Sequence, residues 1–188
     1  MQPKMLSLLV SMLLLPVLAA AQGTPAPSAP GPATSAVDVT KTDIQAAMKI
    51  GLAALKPGVS VSDRNISLTD IGKYNVAVAF VTRPATKVPS GRALAHDKIT
   101  EIYYVTRGSG TQVTGTLVDA TQEKGSTTIG PGWSSASPLK VDRKATLGAG
   151  EMQIIPPGVG HVWTEIAEGG IDYMVIRIDP EHVLGLSK

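Results

Sequence analysis

Two short stretches of the chain carry residues able to do chemistry. In "HDKITEIYYVTRGSG", residues 96–110, a histidine precedes a glutamate by five positions, and a strand-forming run follows that ends in a glycine turn. In "GAGEMQIIPPGVGHVWTEI", residues 148–166, an apolar strand runs into Pro156-Pro157-Gly158, and His161 opens the next strand. Imidazole and carboxylate are ligands for borderline and hard divalent metals. A histidine just after a stiff Pro-Gly corner has its position set by the backbone, which is how a metal site is preorganised. Each stretch alone also reads as an ordinary strand with polar ends, so both readings stand at this point. The chain has three histidines, and His182 matches no pattern in its "PEHVLGLSK" tail; it reads as a surface residue.

The elements that must position these residues are mostly strands. Valine, isoleucine and threonine are frequent beside 19 glycines, and aromatics make up 4%, a composition of short strands and tight turns. The spacing predicts strands over "RNISLTDIG" and "YNVAVAFVTR", around a turn at Gly72-Lys73. It predicts further strands at Ile99–Thr106, Thr111–Leu117, Met152–Ile155, His161–Ile166 and Tyr173–Ile178. Turns at 107–110, 130–132, 148–150, 156–160 and 168–170 separate them. A single short helix is expected from Thr40 or Thr42, with Asp43 in its first turn. Ile44, Ala47, Met48 and Leu52 recur at helical spacing, and Lys56-Pro57-Gly58 stops it. Many short strands with almost no helix argue for an antiparallel sandwich or barrel.

Both stretches together resemble the two motifs of the cupin superfamily. The second motif runs Gly, five residues, Pro, one residue, Gly, two residues, His; Gly150, Pro156, Gly158 and His161 match it, with Glu165 in place of its terminal asparagine. In the first motif His96, Glu101 and Gly108 match, with the six-residue spacing to the glycine intact. Leu94 stands where the motif has its first histidine, and Gly91 is out of step with the opening glycine. The resemblance implies an all-β, cupin-type jelly-roll barrel with one divalent metal, Fe, Mn, Ni, Cu or Zn, held by His96, Glu101 and His161. At the Leu94 position water fills in, a nearby residue such as Asp97 substitutes, or the site is weakened or lost. By strand alternation Tyr103 shares the face of Glu101 and Trp163 that of His161, so both are candidates to line a substrate pocket, with core packing as the plainer role. Tyr104 points to the opposite face.

The resemblance leaves two functions open. One is a metal-dependent enzyme of dioxygenase, isomerase or lyase type acting on a small organic substrate; the other is a barrel that binds a small molecule or sugar without turnover. It also implies a homodimer. A formal charge of +2 without basic runs gives no footprint for nucleic acid. The absence of cysteine excludes disulfides and thiolate chemistry.

Three regions are expected along the chain. Residues 1–21 read as a signal peptide: Lys4, an apolar run to Leu18, and Ala19-Ala20-Ala21 before the cut. Residues 22–38 form a Pro/Ala/Ser-rich linker, and 39–188 the barrel domain. The apolar run is short for a membrane span and contains Pro16, so no stable span is expected after cleavage and the protein is expected to be exported, periplasmic or secreted. Asn65-Ile66-Ser67 is a glycosylation triplet of a kind that arises often by chance.

Overall fold

A computed structural model describes residues 31–136 and 139–186. The expected signal peptide and the first part of the expected linker lie outside the described residues. Residues 31–38 run exposed without helix or strand, and the Ala33 N–H donates to the Asp70 carbonyl at 2.7 Å. No helix among the described residues is long and apolar enough to cross a membrane.

The helix α1 spans Lys41–Ala54. Thr40 caps it: its Oγ1 accepts from the Asp43 N–H at 3.2 Å, while the Asp43 carboxylate accepts from the Thr40 N–H at 2.9 Å. This reciprocal pair satisfies two of the amide donors that a helix start leaves unpaired. The helix packs on the first two strands through Ala47 and Gly51, and a Cβ on Gly51 would stand 3.1 Å from Thr82 Cγ2. Leu52, expected on the apolar face, is exposed.

Nine strands follow: β1 (Ser62–Asp70), β2 (Asn75–Arg83), β3 (Ala93–His96), β4 (Thr100–Thr116), β5 (Thr121–Ser126), β6 (Gly130–Ser135), β7 (Lys140–Gly148), β8 (Met152–Ile155) and β9 (Gly160–Asp179). All pairings are antiparallel. β4 and β9 are long, pair with each other along most of their length, and belong to both halves of a curled sheet. Their Thr100–Gly108 and Ile171–Asp179 segments join β8, β2 and β1, and their other segments join β7, β3, β6 and β5. The sheet is the jelly-roll barrel that the cupin resemblance implies.

Three expected turns lie inside strands, and one of them, 130–132, forms the start of β6. The segments 107–110 and 168–170 are not turns between separate strands but bends inside β4 and β9. Gly108 has φ +73°, Gly169 +85° and Gly170 +80°, and register shifts fall between Val105 and Arg107 and between Gly108 and Gly110. A Cβ on Gly108 would sit 2.0 Å from the Gly170 carbonyl oxygen. Glycine at this crossing lets both strands bend together and keep their ladder. β3, β5, β6 and β7 were not expected at all. "TQEKGS" is exposed throughout, "GPGWSS" is broken by glycine and proline, and "KVDRKATLG" is mostly charged or exposed, so none shows apolar alternation.

The inner faces of β2, β4 and β9 build the main core. Ala79, Val81, Val105, Ile166, Ile171 and Val175 are buried there, with Tyr103, Trp163 and Tyr173 packed against one another.

Candidate metal centre

Three strand ends bring the histidines and the glutamate to one point. His96 is the last residue of β3, Glu101 the second of β4 and His161 the second of β9. Leu94 pairs in register with His161, so His96, two residues on along β3, lies on the same side of the sheet. The Pro-Gly corner docks on the first motif: the Gly158 N–H donates to the His96 carbonyl at 2.8 Å, with Gly158 at φ +78°. The two sequence motifs thus meet through a backbone hydrogen bond.

Glu101 Oε2 lies 3.5 Å from His96 Nε2 and 3.6 Å from His161 Nε2, and all three side chains are buried. Ligand atoms that share one ion at about 2.1 Å stand roughly 3–3.5 Å from each other, close to this spacing. The His161 Nδ1 lies 3.1 Å from the Val159 carbonyl, which can only accept. Nδ1 therefore carries the proton, and the Nε2 lone pair is turned toward Glu101. Burial depresses the His161 ring to about 4, more than the nearby Glu101 charge raises it, so the ring is a neutral ligand at pH 7. Burial would raise the Glu101 carboxyl, but His96, Arg177 and His161 outweigh it and hold the group at about 2. A buried carboxylate oxygen beside a neutral imidazole lone pair is a donor set for a cation. Among the described residues, His96, Glu101 and His161 are the one grouping of such side chains able to hold a metal. Asp97 is not part of it.

Behind the cluster stands Arg177, a residue that sequence reasoning missed. Its Nε donates to Glu101 Oε1 at 2.8 Å, its Nη2 to Asp63 Oδ2 at 2.5 Å, and its Nη1 to Asp63 Oδ1 at 3.0 Å and Asn65 Oδ1 at 2.7 Å. Two buried or half-buried carboxylates share one buried guanidinium, which raises the Arg177 pKa despite its burial. Arg177 takes Oε1 of Glu101 and leaves Oε2 facing the histidines. A signal for it existed: Ile171, Tyr173, Val175 and Arg177 alternate inward along β9, so the arginine occupies a core position. Asn65 also donates to the Thr128 and Gly185 carbonyls at 3.0 and 2.9 Å. The side chain of the glycosylation triplet is therefore buried structure in the folded chain.

The cluster opens on a cavity of about 290 Å³ lined by both histidines, Glu101, Leu94, Arg83 and Tyr173, among others. Tyr103 lines it too, and its hydroxyl donates to Glu101 Oε2 at 2.9 Å. Burial and the Glu101 charge raise the Tyr103 phenol well above its usual range. Trp163 packs one layer behind, its ring stacked with Tyr103 at 6.4 Å between centroids, and is not a lining residue. Leu94 contributes an aliphatic chain to the wall where the motif would bring an imidazole. His182 is exposed with φ +55°, and Glu165 pairs with Lys87 at 2.8 Å on the surface.

Topology and site define the class: a cupin-type barrel with its two motifs at one cavity. No family model matches the chain, and no curated protein matches it. Solved structures to which the chain is similar include KdgF from Halomonas sp., at 14% identity over 68% of this chain and 84% of that one, with a TM-score of 0.40. BH2720 from Bacillus halodurans is 12% identical over 82% and 90%, with a TM-score of 0.46. EutQ from Clostridium difficile is 14% identical over 77% and 82%, with a TM-score of 0.40.

Proposed function

We propose that this chain is an exported cupin-type protein that holds one divalent metal between His96, Glu101 and His161 and converts a small organic substrate in the adjoining cavity. The observation that carries the proposal is the convergence of two imidazoles and a carboxylate oxygen, all buried, at the floor of a cavity. Two histidines and one carboxylate leave coordination positions free, a set suited to Fe and also to Mn, Ni, Cu or Zn. Such an ion supplies Lewis acidity or oxygen activation, in keeping with dioxygenase, isomerase or lyase chemistry. The chain's own groups do the rest. Arg177 fixes the Glu101 carboxylate in one orientation, the Val159 carbonyl fixes the His161 tautomer, and Tyr103 holds a proton at Glu101 Oε2. The aliphatic side of the cavity, Leu94 with Val61 and Val81, keeps water from the substrate.

Metal analysis of the purified protein and its single variants tests this. The wild type should carry stoichiometric metal, and His96→Ala and His161→Ala should each lose most of it. Undiminished metal in either variant contradicts the assigned ligands.

Leu94 favours a second reading, a barrel that binds without turnover, because it removes a ligand of the motif and makes that wall apolar. Turnover of any small organic acid, phenol or sugar by the metal-loaded protein excludes it.

Export and dimerisation complete the proposal. Cleavage after Ala21 is read by N-terminal sequencing of protein recovered outside the cytoplasm. For the dimer, the outer face of β4, β8 and β9 presents Tyr104, Met152, Ile154 and Ile176; Met152 is 57% and Ile154 66% exposed. Tyr104 pairs with Met152, and Ile102 lies between Ile154 and Ile176, so these side chains form one patch. Among the described residues β8 pairs with β4 alone, which leaves its other edge open. A second copy of this chain is the proposed occupant of the patch.

A further inference from the structure

Charge in the cavity is unevenly matched. Asp63 and Glu101 face it, and both are tied to Arg177. The other arginine, Arg83, lines the cavity itself and makes no ion pair with a carboxylate among the described residues. It is the last residue of β2, on the inward side with Ala77, Ala79 and Val81, and only partly exposed. Its hydrogen bonds go to neutral oxygens: Nε to the Tyr173 hydroxyl at 2.9 Å, and Nη1 to Ser90 Oγ at 3.1 Å and the Ser90 carbonyl at 3.3 Å. Those contacts hold Nε and Nη1 in place, and the remaining amino group, Nη2, makes no hydrogen bond to the described residues. A half-buried guanidinium whose hydrogen bonds all go to neutral groups, and which the Asp63 charge reaches only without a hydrogen bond, keeps donors for an anion.

The sum of charges agrees. Arg83 and Arg177 balance Asp63 and Glu101, so a divalent ion held on two imidazole lone pairs and the carboxylate leaves the site with two positive charges in excess. An anionic ligand offsets that excess, and a neutral one does not. The cavity volume corresponds to about ten water molecules, room for a small organic acid.

Building on the metal reading above, we propose that the cavity takes a small organic acid whose carboxylate is bound by Arg83 while its other end reaches the His96–Glu101–His161 cluster. Planar guanidinium and carboxylate match each other's geometry, and charge-assisted hydrogen bonds are stronger than neutral ones. Arg83 is then the residue that selects acids over their neutral analogues. The hydroxyls of Tyr173 and Ser90 position it.

Calorimetric titration of the metal-loaded protein with lactate, malate, mandelate and galacturonate, each beside its primary amide, tests the proposal. At least one acid should bind, and its amide should bind about tenfold or more weakly. Arg83→Gln should weaken the acid by about ten- to a hundredfold and leave the amide unchanged. Arg83→Lys keeps the charge but loses the planar fork, and should fall between the two. Should Arg83→Gln fail to fold by circular dichroism, Arg83→Lys carries the test, with a loss for the acid alone expected. No binding of any acid at millimolar concentration, equal binding of acid and amide, or an Arg83 variant that binds acids like the wild type overturns it. Metal content is measured on the same samples. Protein without bound metal that still prefers acids through Arg83 contradicts the metal reading and leaves this one standing; bound metal with no acid preference does the reverse.

Discussion

Arg177 donates its Nε to Glu101 Oε1 at 2.8 Å while its two amino groups hold Asp63, and both Arg177 and Glu101 are 1% exposed. One cation thus fixes the orientation of the candidate metal-binding carboxylate from behind. Removing one partner of a buried ion pair strands the other charge, which costs about 3–5 kcal/mol. Arg177→Leu should lower unfolding free energy by about that amount in urea titration. It should also weaken metal affinity, because Glu101 Oε1 is then free to turn. A variant as stable as the wild type would show that the network contributes little.

Acid sensitivity of the metal-free protein follows from two depressed groups. His161 sits at about 4 when folded against an ordinary 6.5, and Glu101 at about 2 against 4.5. The unfolded chain therefore binds protons that the folded chain refuses, between 6.5 and about 4 for the ring and between 4.5 and about 2 for the carboxyl. Both contributions are fully present above about pH 6.5 and are lost as pH falls through these windows. Urea midpoints measured in the presence of a chelator should fall steadily from about pH 7 to about pH 4, and His161→Gln should flatten the upper part of that decline. A pH-independent midpoint over this range contradicts the assignment.

The crossing of β4 and β9 admits no side chain. Gly108→Ala puts a Cβ 2.0 Å from the Gly170 carbonyl oxygen at a φ of +73°. Strain and clash together should cost about 2–4 kcal/mol, visible as a lowered thermal midpoint. An unchanged midpoint would mean that the bend relaxes easily.

For the proposed dimer, light scattering should give twice the mass of a single chain, and Ile154→Glu should give a monomer. That side chain is exposed in the isolated chain, so the substitution should leave folding intact. A wild-type monomer contradicts the dimer.

Much of this was legible in the sequence, for identifiable reasons. Thr40 and Asp43 announce the helix start because capping chemistry is local. β2 is apolar and β-branched, and its bounds come out within one residue. His96, Glu101 and His161 were found because the spacing around Pro156, Gly158 and Gly108 fixes the corners that place them. The edges were not legible: β5 and β7 hold their places through backbone pairing and carry mostly exposed side chains, and the one buried residue of β7, Leu147, is too little to mark a pattern. The glycines at 108, 169 and 170 read as turns because a bend and a turn use the same residue. Trp163 follows the alternation rule for facing inward, yet depth within the barrel is a tertiary property, and Tyr103 stands between it and the cavity side. Arg83 and Arg177 sit at inward positions of their strands, where a charge marks a function or a buried pair.

The metal site is tested most directly by an anomalous difference map from crystals of the protein, recorded across the absorption edges of Mn, Fe, Ni, Cu and Zn. One peak bounded by His96 Nε2, His161 Nε2 and Glu101 Oε2 is expected, present at the edge of a single metal and lost in His161→Ala. No peak there in crystals grown with each of these metals, or a peak bound by other side chains, would contradict it.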